Sequence, residues 1–246
     1  MKKIMTVLLA AWMAVSLAAC GSQEQVPAQG VIQRPQQSET QPEEQHDSTT
    51  DHLETSTAEN MQSDSETNIL IVYFTVPETD GVDAVASASR VVTGDGILGN
   101  TEFIAAEIQK NLGGDLFAIE TVQEYPGSHE PLLDFAYNEK SDNARPELST
   151  HIENLDDYDY IFIGYPNWNA DLPMPLYTFF EEYDFSGKTI IPFVTHGGSG
   201  LSGTVQTIQE LEPNAVVVEA ALSVSRNSVQ DAQADVKTWT DSLLAD

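Results

Sequence analysis

The chain has 246 residues and carries 39 acidic against 10 basic side chains, a formal net charge of −29 at neutral pH. Binding a nucleic acid needs a positive surface for phosphate, so this balance argues against that class and favours solubility or the steering of cationic partners. Cys20 is the single cysteine, which removes disulfides, thiol catalysis, cysteine-ligated zinc and iron–sulfur clusters and leaves any redox chemistry to a bound cofactor.

The first segment, MKKIMTVLLAAWMAVSLAAC, has a basic start (Lys2, Lys3), an apolar run over 4–19 and small residues before Cys20. That is the pattern of a secretory signal peptide, and the run is shorter than the roughly 20 residues a membrane-spanning helix needs. Its end, Leu17-Ala18-Ala19-Cys20-Gly21, resembles the bacterial lipobox, which implies acylation of Cys20 and a lipid-anchored, extracytoplasmic location at a bacterial cell membrane. From Gly21 to about Thr67 the chain is rich in Gln, Ser, Thr, Glu and Pro, with ten acidic residues against one basic, Arg34. Such a composition buries too little apolar surface to offset the entropy of ordering and predicts a disordered tether, about 38 Å end to end as a flexible coil.

The remaining residues, 68–246, are enough for one domain with a substantial core. Asn68–Phe74 is an apolar, β-branched run without alternation, as expected of a strand buried on both faces of a parallel sheet. Asp115–Thr121, Tyr158–Tyr165 and Thr189–Thr195 follow the same style, with Ala215–Glu219 as the fifth. Helical patterns lie between and after them at Thr101–Leu112, Pro173–Tyr183, Thr204–Leu211 and Ser228–Leu244. The alternation predicts an α/β fold in three layers, a doubly wound five-stranded parallel sheet covered by helices. Ligands in such folds bind beyond the carboxyl ends of the strands. Those positions hold Thr75 and, after a long loop, Gly99-Asn100-Thr101; then Tyr165-Pro166-Asn167-Trp168-Asn169; then Thr195-His196-Gly197-Gly198-Ser199-Gly200. The three clusters are expected to converge on one pocket.

Gly94, Gly96 and Gly99 match the dinucleotide spacing G-x-G-x-x-G, which has meaning only directly after a strand and at the start of a helix. The strong strand ends twenty residues earlier, at Phe74. Val91-Val92 and Ile97-Leu98 around Asp95-Gly96 predict a small β-hairpin instead. Gly99-Asn100-Thr101 then reads as a helix N-terminus suited to phosphate, with Asn100 or Thr101 as the N-cap. Thr93 is a further phosphate donor if the hairpin folds back.

Three segments, ILIVYFT with GNTEFIAAEI, IFIGYPNWNADLPMPLYTFF, and KTIIPFVTHGGSGLSGT, resemble the flavodoxin family, in particular its bacterial branch with a tyrosine-proline-x-tryptophan segment. The resemblance covers 68–246 and implies the strand order 2-1-3-4-5 and FMN as cofactor. It implies that Thr75, Gly99, Asn100 and Thr101 wrap the FMN phosphate with hydroxyl and backbone donors. Thr75 to Thr101 spans 27 residues where the family usually has six, an insertion at about 76–98. The resemblance also sets Trp168 against the flavin ring, with Pro166, Asn167 and Asn169 beside it and Thr195, His196, Gly197, Gly198 and Gly200 at the pyrimidine edge.

His196 is read either as a ring contact or as a strand-end histidine with none. Asp171, and with less weight Glu181, Glu182 and Asp184, are expected to lower the flavin potential by repulsion. The segment 125–146, helical over Glu130–Glu139, is long enough to cover the pocket. Two functions suit this pocket: an FMN electron carrier that passes electrons between redox proteins or quinones, and an FMN reductase that uses NAD(P)H on a quinone-type or other small substrate. Two others carry less weight. A serine hydrolase is prompted by HGGSG, but the nucleophile elbow G-x-S-x-G fails at Leu201 and Thr204. A cofactor-free binding module is kept open by the long insertion.

Overall fold

The structure is a computed structural model that describes residues 68–78, 89–94 and 96–243. The signal peptide, Cys20 and the tether lie outside the described residues.

The first strand, β1 (Ile69–Phe74), takes an interior place in the sheet because it is apolar on both faces. Leu70, Val72 and Phe74 point into one core, and Ile69 and Ile71 into the other. β4 (Asp115–Ile119) pairs with it in parallel on one side and β5 (Tyr160–Pro166) on the other. β6 (Thr189–His196) follows β5, again in parallel. The helices α1 (Asn100–Leu112) and α5 (Gln233–Leu243) supply Phe103, Ile104, Ile108 and Val236 to one core. On the opposite face α2 (His129–Ser141), α3 (Met174–Glu182) and α4 (Thr204–Leu211) supply Leu132, Leu176, Phe179 and Ile208 to the other. The expected three layers and the order 2-1-3-4-5 are both present.

The fifth position of the sheet differs from the expectation. The run at 215–219 yields only the short β7 (Val216–Val217), and a strand not read from sequence, β8 (Leu222–Ser225), takes over alongside β6. The break coincides with Pro192. β7 ends where the Ile190 carbonyl accepts the Val218 N–H, and β8 begins pairing at Phe193. Pro192, two residues after Ile190, faces the same neighbour and has no N–H to give the ladder. The last helix is likewise shorter than expected, with a 3₁₀ turn at Val229–Asp231 before α5.

The inserted segment forms the expected hairpin from β2 (Arg90–Thr93) and β3 (Gly96–Gly99). Val91 pairs with Leu98 and Val92 with Ile97, the facing expected, and Thr93 pairs with Gly96, so Gly96 belongs to β3 rather than to the turn. The Thr93 hydroxyl is spent on the Gly96 carbonyl at 3.0 Å. Val91 is buried in the same core as Phe103 and Val229, whereas Val92 and Ile97 face outward.

Gly164 on β5 and Phe193 on β6 are register partners, and a Cβ at Gly164 would fall within the Phe193 ring. Filling a close-packed site forces neighbours off their rotamers. Gly164→Ala is therefore expected to destabilise the domain by about 1–3 kcal/mol, read as a lower urea midpoint; an unchanged midpoint would contradict this packing.

Candidate functional site

Beyond the carboxyl ends of β1, β5, β6 and β8 lies a cavity of about 400 Å³. Its first wall is Thr75 and Val76 after β1, with Ser89, Asn100 and Thr101. The two ends of the interrupted loop meet closely: a Cβ at Gly99 would overlap the Thr75 side chain, so only glycine fits there. The excursion between them is tied at its base, where the Glu78 N–H donates to the Ser89 hydroxyl at 3.0 Å and Arg90 pairs with Glu78 at 3.7 Å.

The start of α1 is capped differently from the expectation. Gly99 is the N-cap, its N–H donating to the Glu102 carboxylate at 3.0 Å, and Asn100 is the first helical residue. The Asn100 N–H donates to the Ser89 carbonyl at 2.9 Å, so the insertion itself satisfies one of the N–H groups that a helix start leaves over. The N–H groups of Thr101 and Glu102 have no carbonyl four residues back within the helix. The Thr101 and Thr195 hydroxyls share a buried hydrogen bond of 2.9 Å, which fixes the start of α1 over the end of β6.

The second wall is the turn after β5. Trp168 and Asp171 exchange backbone hydrogen bonds of 3.2 and 3.0 Å around Asn169 (φ 52°) and Ala170 (φ 59°). Two successive left-handed residues are unusual outside glycine, and such backbone persists where neighbours over-determine it. Here the neighbour is Lys140 of α2, whose ammonium donates to the Asn169 carbonyl at 2.9 Å and pairs with Asp171 at 3.0 Å. Trp168 is buried, its ring 5.4 Å from Phe74 edge to face and 5.5 Å from Tyr125. The Tyr125 hydroxyl in turn donates to Glu139 of α2, which also accepts from Gln123. Burial raises the pKa of both Glu139 and Tyr125.

The third wall is Thr195–Ser199. The Asn167 N–H donates to the Thr195 carbonyl at 2.8 Å, and its side-chain amide donates to the Gly200 carbonyl at 2.7 Å. That leaves Asn167 Oδ1 buried without a hydrogen-bond partner, an acceptor open to a ligand N–H. His196 Nδ1 accepts the Gly198 N–H at 3.0 Å, which assigns the neutral tautomer with its proton on Nε2. Burial lowers the pKa of this ring.

Of the residues singled out from sequence, Thr75, Asn100, Thr101, Pro166, Asn167, Trp168, Asn169, Thr195, His196, Gly197 and Gly198 line the cavity. Gly99 and Gly200 do not; they act through close approach and through a carbonyl. Thr93 is also outside the lining, as are the four acidic residues expected to repel a ligand. Asp171 is neutralised by Lys140, Glu181 is paired with Arg145 at 2.7 Å, and Asp184 accepts from the Ser186 N–H at 2.9 Å. The segment read as a cover does close one side, through His129, Leu132 and Leu133 of α2. Ser89 and Arg226 also line the cavity and were not singled out from sequence; Ser89 comes from the insertion, and Arg226 follows the unpredicted β8.

The donor set fits a flavin mononucleotide: hydroxyls and a helix start at one end, the apolar Trp168, Leu132 and Leu133 along the side, and an orphan amide oxygen beside a glycine-rich loop. A family model described as Flavodoxin matches residues 91–243. Among solved structures, a candidate flavoprotein from Bacteroides eggerthii DSM 20697 is 23% identical, covering 73% of this chain and 99% of its own, at a TM-score of 0.48. One from Bacteroides uniformis ATCC 8492 is 25% identical over 67% and 96%, at 0.47. A flavoprotein in complex with FMN from Lactobacillus acidophilus NCFM is 18% identical over 68% and 99%, at 0.48. No curated protein matches the chain.

His196 provides a direct check on this geometry. Its folded pKa lies below the ordinary histidine value near 6.5, so the unfolded chain binds the proton more readily. The associated stability is therefore present above the unfolded pKa and is lost as pH falls through the folded pKa. An NMR titration of the imidazole should give a midpoint below 6.5, with the Gly198 amide resonance moving in step; a midpoint at or above 6.5 would contradict the lowering by burial.

Proposed function

The chain belongs to the flavodoxin family, and from that premise we propose that it binds FMN and works as an electron carrier, held by a lipid on Cys20 at the extracytoplasmic face of a bacterial membrane. The observation that carries the FMN reading is the convergence of Thr75, Asn100, Thr101 and Thr195 with Trp168 and the 195–199 loop on one cavity. When bound, FMN supplies reversible one- and two-electron chemistry. The chain's own residues bind and orient. The hydroxyls and the helix start hold the phosphate end, Trp168 offers an aromatic wall, and Asn167 Oδ1 accepts an N–H. The α2 side chains Leu132 and Leu133 limit access of water along one side.

Two features support a carrier over an NAD(P)H-dependent reductase. The glycine triplet is absorbed into the hairpin and the start of α1, leaving no second nucleotide motif, and an extracytoplasmic site lacks a ready nicotinamide supply. The lipid anchor is supported by Lys2, Lys3, the apolar run over 4–19 and the lipobox at Cys20. The partner is a redox protein or a quinone.

Titration of the purified chain with FMN should quench flavin fluorescence with a Kd at or below the micromolar range; no binding there would end both the carrier and the reductase readings. Rapid bleaching by an artificial one-electron donor, with NADH and NADPH inert, is expected of the carrier, whereas nicotinamide turnover favours the reductase. In a bacterial host, radiolabelled palmitate should enter the wild-type chain and not Cys20→Ala, which should leave the membrane fraction; equal labelling of both removes the anchor.

A further inference from the structure

The described domain has seven Lys and Arg residues. Six of them are occupied: Arg90 by Glu78, Lys110 by Glu107, Lys140 by Asp171, Arg145 by Glu181, Lys237 by Asp241, and Lys188 by the Tyr158 carbonyl. The seventh, Arg226, makes no ion pair and no side-chain hydrogen bond among the described residues. Its Nε is buried without a partner, in a chain whose net charge of −29 makes carboxylates abundant. Among the described residues, Arg226 is also the only Lys or Arg that lines the cavity, and no Asp or Glu lines it.

A guanidinium whose Nε is withdrawn from water without a partner is costly, and a cavity lined by no carboxylate among the described residues suits an anion from outside. Arg226 is held in place by its backbone N–H, which donates to the His196 carbonyl at 2.8 Å, and its guanidinium packs beside Gly197. The insertion packs toward the same element, since Val91 of the hairpin shares a core with Val229, three residues beyond Arg226, and Ser89, on the hairpin's own approach, lines the same cavity as Arg226, Thr75 and Thr101. A guanidinium matches phosphate oxygens in a two-pronged, charge-assisted geometry that hydroxyls cannot supply.

We propose that Arg226 is the cationic ligand of the FMN phosphate and makes the site discriminate FMN from unphosphorylated riboflavin. The inference rests on the FMN reading above and adds a charge to a cradle otherwise built of neutral donors. The test compares the full chain with Arg226→Gln and Arg226→Lys, using FMN and riboflavin as separate titrants, with apo thermal midpoints as a folding control. Wild-type FMN binding decides the FMN reading by itself. Given that binding, Arg226→Gln should weaken FMN about tenfold or more while riboflavin affinity stays unchanged, and Arg226→Lys should fall between. The salt dependence of wild-type FMN binding should be flattened in Arg226→Gln. An equal loss of FMN and riboflavin would place the guanidinium at the ring and overturn the proposal. No loss of either ligand would overturn it too, and if Arg226→Gln lowers the apo midpoint, the Arg226→Lys ratio of FMN to riboflavin affinity decides alone.

Discussion

The site depends on one close approach, the contact of Gly99 with the Thr75 side chain, where no Cβ fits. The strand that ends before Thr75 and the helix that begins after Gly99 set the two positions, and the residues between them have only to close the path. Closing a longer loop adds little entropy cost. The added segment does more than close: it ties itself at Glu78 and Ser89, buries Val91, and uses the Ser89 carbonyl on the Asn100 N–H. The Thr101–Thr195 hydrogen bond then carries this corner across to β6. A loop that interrupts a binding motif has here become part of its wall.

A second set of contacts fixes the opposite side. α2 reaches the Trp168 turn twice, through Lys140 on Asn169 and Asp171 and through Glu139 on Tyr125, which abuts Trp168. Both contacts are polar groups at least partly withdrawn from water, where satisfied networks specify a single arrangement. Electrostatics follow the same logic. The chain is strongly acidic, yet Asp171 and Glu181 are turned to partners of their own, and the described residues of the cavity present donors and one cation, Arg226.

The parts of this fold legible in sequence were those where local pattern and tertiary role coincide. β1, β5 and β6 are apolar on both faces because both faces are buried, and the binding loops follow directly from where those strands end. The fifth strand was legible only in part, because its extent is set by a proline on its neighbour, a constraint absent from its own residues, and because β8 alternates serine with apolar residues. The hairpin and the facing of Val91-Val92 with Ile97-Leu98 were legible, whereas the pairing of Gly96 with Thr93, which takes that glycine out of the turn, was not. The N-cap shifted to Gly99 because Glu102 reaches back to it. Arg226 was invisible as a site residue, since only the placement of β8 beside β6 brings it to the cavity.

The interior position of β1 also governs the order in which the fold can assemble. Its partners begin at Asp115 and Tyr160, so a chain emerging amino end first presents Ile69–Phe74 before either neighbour exists. An apolar, β-prone run without a partner is the kind of segment that associates wrongly while it waits. Asp51, Glu54, Glu59, Asp64 and Glu66 stand immediately ahead of it, and no basic residue lies between Asp51 and Asn68. Charge of one sign flanking such a strand opposes that association during synthesis, a kinetic role distinct from any the acidic stretch has once the sheet is complete.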